Sequence, residues 1–558
     1  MRDVVGRLQR YFIYAGLFSL AINSLLLVPA IYMLQVFDRV LSGRSQETLV
    51  MLSAGALIAL AMMAALDMLR ARLLAACGLA LDRWLGPSVL QGLLDQTARL
   101  GAADHLNGLR DVATLRGFLV GAGVIALFDA PWLPLFLALI YLFHPVLGAL
   151  ALAGAVLMLS LAVLNERFTR TPIERVQAEG RRTGRFVDAA ARNSETLSAL
   201  GMQDAVTRRW AALNESALRE QREASRLGAT FGGLTKFTRQ AIQMTMLGTG
   251  AYLVISEHLS SGVMIATTII LGRALAPVEM LVAGWRNLVD VRSALARLTQ
   301  LFAAAPPRAA PTELPAPKGA LAVERVTYAF PRAERPVIRG ASFALQPGDS
   351  LGVIGPTAAG KSTLAKLLVG VRRPAQGAVR LDGADVATWD RGQVGRHVGY
   401  VPQVVELFGG SIAENIARLG EADSAGVVRA AQRAHAHEMI LRLPRGYDTE
   451  TGEGGEALSP GQRQRIALAR ALYGDPCLVV LDEPNANLDS EGDEALLLAM
   501  RDLKQAGVTV IVIAHRPSLL GGVDKLLVLK EGVVELFGAR AEIMARVTRV
   551  VSSVRGAA

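Results

Sequence analysis

The segment GPTAAGKST, residues 355–363, decides how the second half of the chain folds. It fits the pattern G-x-x-x-x-G-K-[ST] with Gly355, Gly360, Lys361 and Ser362. An apolar run, SLGVI, precedes it, and a helical run, STLAKLLVG, follows it. Glycines let backbone amides approach an anion, and the N-terminus of a helix adds partial positive charge. Lys361 is placed to reach the terminal phosphates of a nucleotide, and Ser362 to ligate Mg²⁺. The candidate ATP-binding loop is therefore Gly355, Pro356, Thr357, Ala358, Ala359, Gly360, Lys361, Ser362 and Thr363. A plain glycine turn is the alternative, and the strand before and helix after argue against it.

A second half-site lies downstream. LVVLDEP, residues 478–484, is an apolar strand ending in two carboxylates. Asp482 is expected to hold the Mg²⁺ sphere and Glu483 to polarise the attacking water, because a carboxylate tied to metal leaves its neighbour free to accept a proton. His515 follows the apolar run of VIVIAHRPS, and Gln403 ends that of GYVPQ. Ligands in such sheets bind outside the carboxyl ends of the strands. His515 is thus expected to contact the γ-phosphate, and Gln403 to reach the metal or the water. The runs SLGVIG, HVGYVPQ, CLVVLDEP and VTVIVIAH alternate with helical stretches, the pattern of an α/β domain with a largely parallel sheet.

The first half of the chain is different. Over 558 residues, 52% are hydrophobic and only 19% charged, and the mean hydropathy is +0.34, which is unusual for a soluble protein. Apolar runs near 12–36, 49–69, 118–143, 144–165, 237–257 and 262–284 mostly reach the ~20 residues that a spanning helix needs. Six spans return the chain to its starting side. The short turns near 37–48, 144–145 and 258–261 carry few cations, whereas the long intervening segments are rich in Arg. That asymmetry places the N-terminus, the long segments and the C-terminal half in the cytoplasm. The formal net charge of +10 then reflects membrane topology and not nucleic-acid binding. Arg2, Arg7 and Arg10 precede the first apolar run, which YMLQVFDRVL follows without a cleavage site, so an uncleaved span is expected. Cys77 and Cys477 stand far apart and support neither a disulfide framework nor a zinc site.

Segments 70–117 and 166–236 combine helical periodicity with mixed charge, as membrane helices continuing into water would. AAAPPRAAPTELPAPKG, residues 303–319, cannot form regular helix. The expected organisation is residues 1–302 as a transmembrane domain, 303–318 as a proline-rich linker and 319–558 as the ATP-binding domain.

LSPGQRQR, residues 458–465, heads a helical run, IALARAL. With the two nucleotide motifs, Gln403 and His515 in place, the chain resembles the ATP-binding cassette (ABC) transporter family along nearly its whole length. LSPGQ then matches that family's signature, usually LSGGQ. The resemblance implies head-to-tail cassettes in which each signature caps the ATP held by the partner's loop, through Ser459, Gly461 and Gln462. NANLD, residues 485–489, matches the dimer-facing D-loop, with Asp489. The adenine-stacking aromatic, normally Tyr in such exporters, aligns with Phe330. Pro460 and Ala358 depart from the family pattern, each standing where Gly is more usual. One cassette with six spans implies a half-transporter that works as a homodimer. The implied fold is an all-α six-helix transmembrane domain of the type I exporter kind, followed by an α/β P-loop nucleotide-binding domain.

MLQVFDRVLSGRSQETL, residues 33–49, and LFDAPWLPLFLALIYLFHP, residues 127–145, are similar to the permease–ATPases of bacterial type I secretion systems, in the protease, lipase and haemophore exporter branch. The toxin-exporting branch carries an N-terminal peptidase-like domain, for which the early first span leaves no room. The resemblance implies a multi-pass inner-membrane protein surrounded by lipid and working with a periplasmic membrane-fusion adaptor and an outer-membrane channel. Its cargo would be secreted polypeptides, unfolded in transit, with an uncleaved C-terminal signal. An exporter of small molecules or lipids with the same fold is the alternative reading. An ATP-gated channel or weakly hydrolysing regulator is disfavoured by the presence of both Glu483 and His515.

Asp129 stands alone in an apolar run. It is 144 − 129 = 15 residues from the His144–Pro145 turn, or about 22 Å at 1.5 Å per residue. A carboxylate at that depth must pair with a cation or face a wet cavity. Both readings are open at this point: a structural pair with an Arg of the long extensions, or a cargo-admitting cavity.

Overall fold

The computed structural model describes residues 2–100, 108–304, 314–330, 333–514 and 516–546. The chain divides into two compact units, Met1–Gln96 with Ala103–Ala305 and Thr97–Ala102 with Pro306–Ala558. The expected linker 303–318 falls mostly outside the described residues, as do residues 305–313.

The first unit is all helix. Its first rod, Leu8–Gly43, is broken after Leu25, where Pro29 cannot donate to the carbonyl four residues back. It continues through a π-helical turn at Val36–Val40 and ends at Arg44 in the left-handed conformation. The first short turn is therefore tighter than the 37–48 read from the sequence. Three helices are very long: Gln46–Leu100, Pro145–Arg192 and Gln203–Ile255, of 55, 48 and 53 residues. At 1.5 Å per residue they extend about 70–80 Å, more than twice the ~30 Å hydrocarbon layer. The apolar spans and their charged extensions are thus continuous rods. Close approach of these rods depends on glycine. A Cβ at Gly154 would lie 2.7 Å from Ile242, and one at Gly250 would lie 2.7 Å from Met264, the small-residue packing of membrane helices.

Among the described residues, five helices are long and apolar enough to cross a membrane: Leu8–Gly43, Gln46–Ala98, Ala122–Phe143, Pro145–Arg192 and Ser261–Ala283. The sixth expected span, at the C-terminal end of Gln203–Ile255, has the length but is diluted by Arg239, Gln240 and Gln243. Large apolar side chains such as Met51, Ile58, Leu142 and Ile255 stand exposed along these helices, the kind of surface that a membrane or a partner helix covers. The chain is a multi-pass membrane protein.

The span around Asp129 is segmented. Ala122–Asp129 passes through a 3₁₀ turn, Ala130–Trp132, into Leu133–Phe143. Pro131 and Pro134 supply the break.

The second unit is α/β. Its strands are β1 (Leu321–Tyr328), β2 (Ile338–Leu345), β3 (Ser350–Ile354), β4 (Gln376–Leu381), β5 (Ala384–Asp385), β6 (Val398–Val401), β7 (Leu478–Asp482), β8 (Thr509–Ile513), β9 (Lys525–Lys530) and β10 (Val533–Ala539). The larger sheet has the order β10-β9-β3-β8-β7-β6 and is parallel except for β10. Strands β7 and β8 are buried at every residue. This explains why they read as unbroken apolar runs and not as alternating ones. A second, antiparallel sheet has the order β2-β1-β4-β5; its longer strands carry exposed residues and are interrupted by register shifts, so they give no unbroken apolar run in the sequence.

Candidate ATP site

The carboxyl ends of β3, β6 and β7 converge on one edge of the parallel sheet, where such folds bind ligands. A cleft of about 550 Å³ opens there. It is lined by Phe330, Val337, Thr357, Ala358, Gly360, Lys361, Ser362, Thr363, Gln403 and Glu483. Every one of these except Val337 is a site residue expected from the sequence.

The loop's backbone explains its composition. Gly355 and Gly360 have φ of +158° and +100°. A Cβ on Gly355 would lie 2.1 Å from the Leu529 carbonyl, and one on Gly360 2.8 Å from Ile338. No other residue fits at Gly355 without moving backbone. Ala358 adopts φ +65°, a left-handed conformation that costs a residue with a Cβ about 1–2 kcal/mol. The departure from glycine noted in the sequence is therefore carried as local strain.

Lys361 begins the helix Lys361–Leu368 and is buried. Its Nζ donates to the carbonyls of Gly355 (2.9 Å) and Pro356 (3.0 Å), which holds it across the loop. Burial pulls its ammonium below the ordinary lysine range, while Glu483 and Asp482 pull the other way. Asp482 ends β7 almost fully buried, and its Oδ1 accepts from Ser362 Oγ at 3.1 Å. Burial raises its pKa, against the opposing pull of that hydrogen bond.

Glu483 turns away from the strand at φ +51°, and its Oε2 accepts from Gln403 Nε2 at 3.0 Å. Strain of this kind in a non-glycine residue collects at functional sites. Here it turns the chain immediately after the buried Asp482, and Glu483 lines the open cleft.

Phe330 is half-exposed at the cleft's rim, whereas Tyr328 is buried. Their rings meet edge to face at 5.4 Å, so Phe330 offers the accessible ring. Sequence reasoning missed Arg372. Its guanidinium lies 4.8 Å from the Phe330 ring centroid and donates to the Tyr328 hydroxyl. No spacing in the sequence marks that contact.

The signature lies apart from this cleft. Ser459 is the N-cap of Pro460–Leu472 in a reciprocal capping box: its Oγ accepts from Gln462 N at 3.2 Å, and Gln462 Oε1 accepts from Ser459 N at 2.9 Å. Pro460 occupies the first helical position, where no intrahelical partner for an N–H exists, so the helix loses nothing by it. Asp489 likewise caps Ser490–Gln505 through Gly492 N at 2.8 Å. Among the described residues lining the cleft, none comes from the signature: Ser459, Gly461, Gln462 and Asp489 all stand elsewhere. His515 lies outside the described residues.

A membrane-spanning helical unit and a phosphate-cradling α/β unit in one chain define an ATP-hydrolysing ABC transporter. Residues 12–276 match the ABC transporter transmembrane region, and residues 338–486 match the ABC transporter family. The type I secretion system ATP-binding protein PrsD of Rhizobium meliloti is 44% identical over 540 residues, covering 96% of this chain and 93% of that one. The cyclolysin secretion/processing ATP-binding protein CyaB of Bordetella pertussis is 30% identical, covering 95% and 75%. A bacterial Atm1-family ABC exporter with ATP bound superposes with a TM-score of 0.80 over 99% of both chains at 22% identity, which speaks for the fold alone. The chain belongs to the ABC transporter family, and within it to the type I secretion ATP-binding proteins.

Proposed function

We propose that this protein is the inner-membrane engine of a type I secretion system. It uses ATP hydrolysis to export unfolded polypeptides bearing an uncleaved C-terminal signal. The observation that carries this reading is the 44% identity to PrsD across both units, joined to an ATP cleft whose expected residues converge. Export by this route needs a periplasmic adaptor and an outer-membrane channel. The concentration of Arg in the long extensions favours a cytoplasmic N-terminus and a cytoplasmic ATPase unit.

Two chains would form the working unit. The signature stands apart from the cleft of its own chain, so a partner's Ser459, Gly461 and Gln462 are the groups that would close over the nucleotide, with Asp489 beside them. Phe330 would stack the adenine, Lys361 and the loop amides would hold the phosphates, and His515 would contact the γ-phosphate.

The residues present fit Mg²⁺. Asp482 Oδ2 is buried and has no hydrogen-bond partner among the described residues, and Ser362 Oγ adjoins the same carboxylate. Asp482, Ser362 and Gln403 would hold the ion, which supplies charge neutralisation at the phosphates. Glu483 then orients and deprotonates the attacking water.

The test compares proteins in the culture medium of cells carrying wild type or Glu483→Gln. A set of polypeptides should vanish from the medium and accumulate inside the cell. An unchanged medium, with lipid or small-molecule efflux lost instead, would overturn the polypeptide reading.

A further inference from the structure

The membrane unit contains an amphipathic cleft that ATP binding does not use. The end of Gln203–Ile255 and the helix Ser261–Ala283 run antiparallel on either side of the turn at 256–260. Between them opens a cleft of about 480 Å³ whose walls include Arg239, Gln240, Gln243, Thr268 and Arg273. Arg273 lies 273 − 261 = 12 residues into its helix, and Gln243 lies 255 − 243 = 12 residues before the turn. Both are about 18 Å from that end, near the middle of the ~30 Å layer.

The two arginines differ. Arg239 Nε lies 2.9 Å from Glu279 Oε2, so its charge is balanced. Arg273 is exposed and makes no ion pair or hydrogen bond among the described residues. Arg239, Glu279 and Arg273 together leave one net positive charge in each chain. An arginine at this depth faces a wet cavity or a partner, because hydrocarbon penalises it heavily. Lipid headgroups sit at the interfaces, the nearer roughly 12 Å away, and do not supply that partner. Apolar Met244 and Leu247 share the cleft, which makes it amphipathic.

We propose that this cleft is a carboxylate-binding subsite on the export passage, and that Arg273 recognises acidic stretches of the polypeptide in transit. The proposal rests on the polypeptide-export reading. An extended chain carrying Asp or Glu offers the charge that Arg273 lacks, and its apolar side chains fit beside Met244 and Leu247.

The test uses the full-length protein in nanodiscs of zwitterionic phospholipid and two unstructured peptides of equal length. One carries Asp and Glu at intervals; the other carries Asn and Gln at the same positions. Wild type should prefer the acidic peptide. Arg273→Gln should bind it roughly ten-fold more weakly, with binding of the neutral peptide unmoved, and Arg273→Lys should keep most of the preference. The acidic-to-neutral ratio separates recognition from general damage to the fold. If Arg273→Gln discriminates as wild type does, the subsite is wrong and polypeptide export stands. If wild type binds neither peptide, the subsite falls, while polypeptide export is judged separately by the proteins in the culture medium. A photo-crosslinker at position 273 that captures added anionic phospholipid, and no peptide, would also overturn the subsite.

Discussion

Arg70 Nη1 lies 2.8 Å from Asp129 Oδ1, with the two side chains 4% and 12% exposed. Asn23 Nδ2 donates to the same oxygen at 2.9 Å, and Ser19 Oγ also donates to it. Arg70 reaches Asp67 with its other terminal nitrogen. Of the two readings open in the sequence, the structure contains the pair: Arg70 sits where the second span passes into its long extension.

Breaking this pair should therefore cost stability before it costs transport. Asp129→Asn leaves Arg70 without its main counter-charge, at a cost on the order of 3 kcal/mol. We expect a lower Tm in detergent and reduced accumulation. The double change Arg70→Met with Asp129→Leu should recover much of the loss, because no buried charge is then stranded. An Asp129→Asn protein with wild-type Tm and impaired export would return Asp129 to the cargo path.

Glu483→Gln should separate binding from hydrolysis. The amide keeps the size of the side chain beside Gln403 but cannot take a proton. Losing a positioned base costs about 10²–10⁴-fold in rate. ATP affinity should stay within a few-fold of wild type, and the ATP-bound dimer should persist on a sizing column. Wild-type turnover in this variant would place the base elsewhere.

ATP affinity should fall with rising pH earlier than an ordinary lysine would dictate. Burial lowers the Lys361 pKa in the nucleotide-free protein, so Lys361 sheds its proton below the usual value of about 10.4. ATP phosphates favour the charged form, so binding takes up a proton in that window and weakens as pH rises through it. Titration calorimetry in two buffers of different ionisation heat reads this uptake directly. Lys361→Arg should abolish it, since guanidinium stays charged. A buffer-independent heat in wild type would contradict the assignment.

The nucleotide cleft was legible in the sequence because its chemistry is local. Gly355 to Thr363 is one loop, and Asp482 and Glu483 are adjacent at the end of an apolar run. Tertiary partners were not legible. Nothing in the spacing links Arg70 to Asp129 or Arg372 to Phe330, because those contacts arise from helix and strand packing. The amphipathic cleft was hidden for another reason. Averaging hydropathy along 237–257 and 262–284 absorbs Arg239 and Arg273 into apolar runs, and only the shared level of Gln243 and Arg273 across the hairpin reveals a common wall. The strain at Ala358 and Glu483 also lay beyond the sequence, since φ is set by the sheet edge that each residue must leave.

The central claim is that two copies of this chain complete each other's ATP sites to drive export. Its most direct measurement is the ATPase activity of doubly tagged mixed dimers, one chain carrying Lys361→Ala and the other Ser459→Ala. Each homodimer should be inactive. The mixed dimer pairs one intact loop with one intact signature, so a substantial part of wild-type activity should return. Mixed dimers that form and stay inactive, or a Ser459→Ala homodimer that hydrolyses ATP at the wild-type rate, would contradict it.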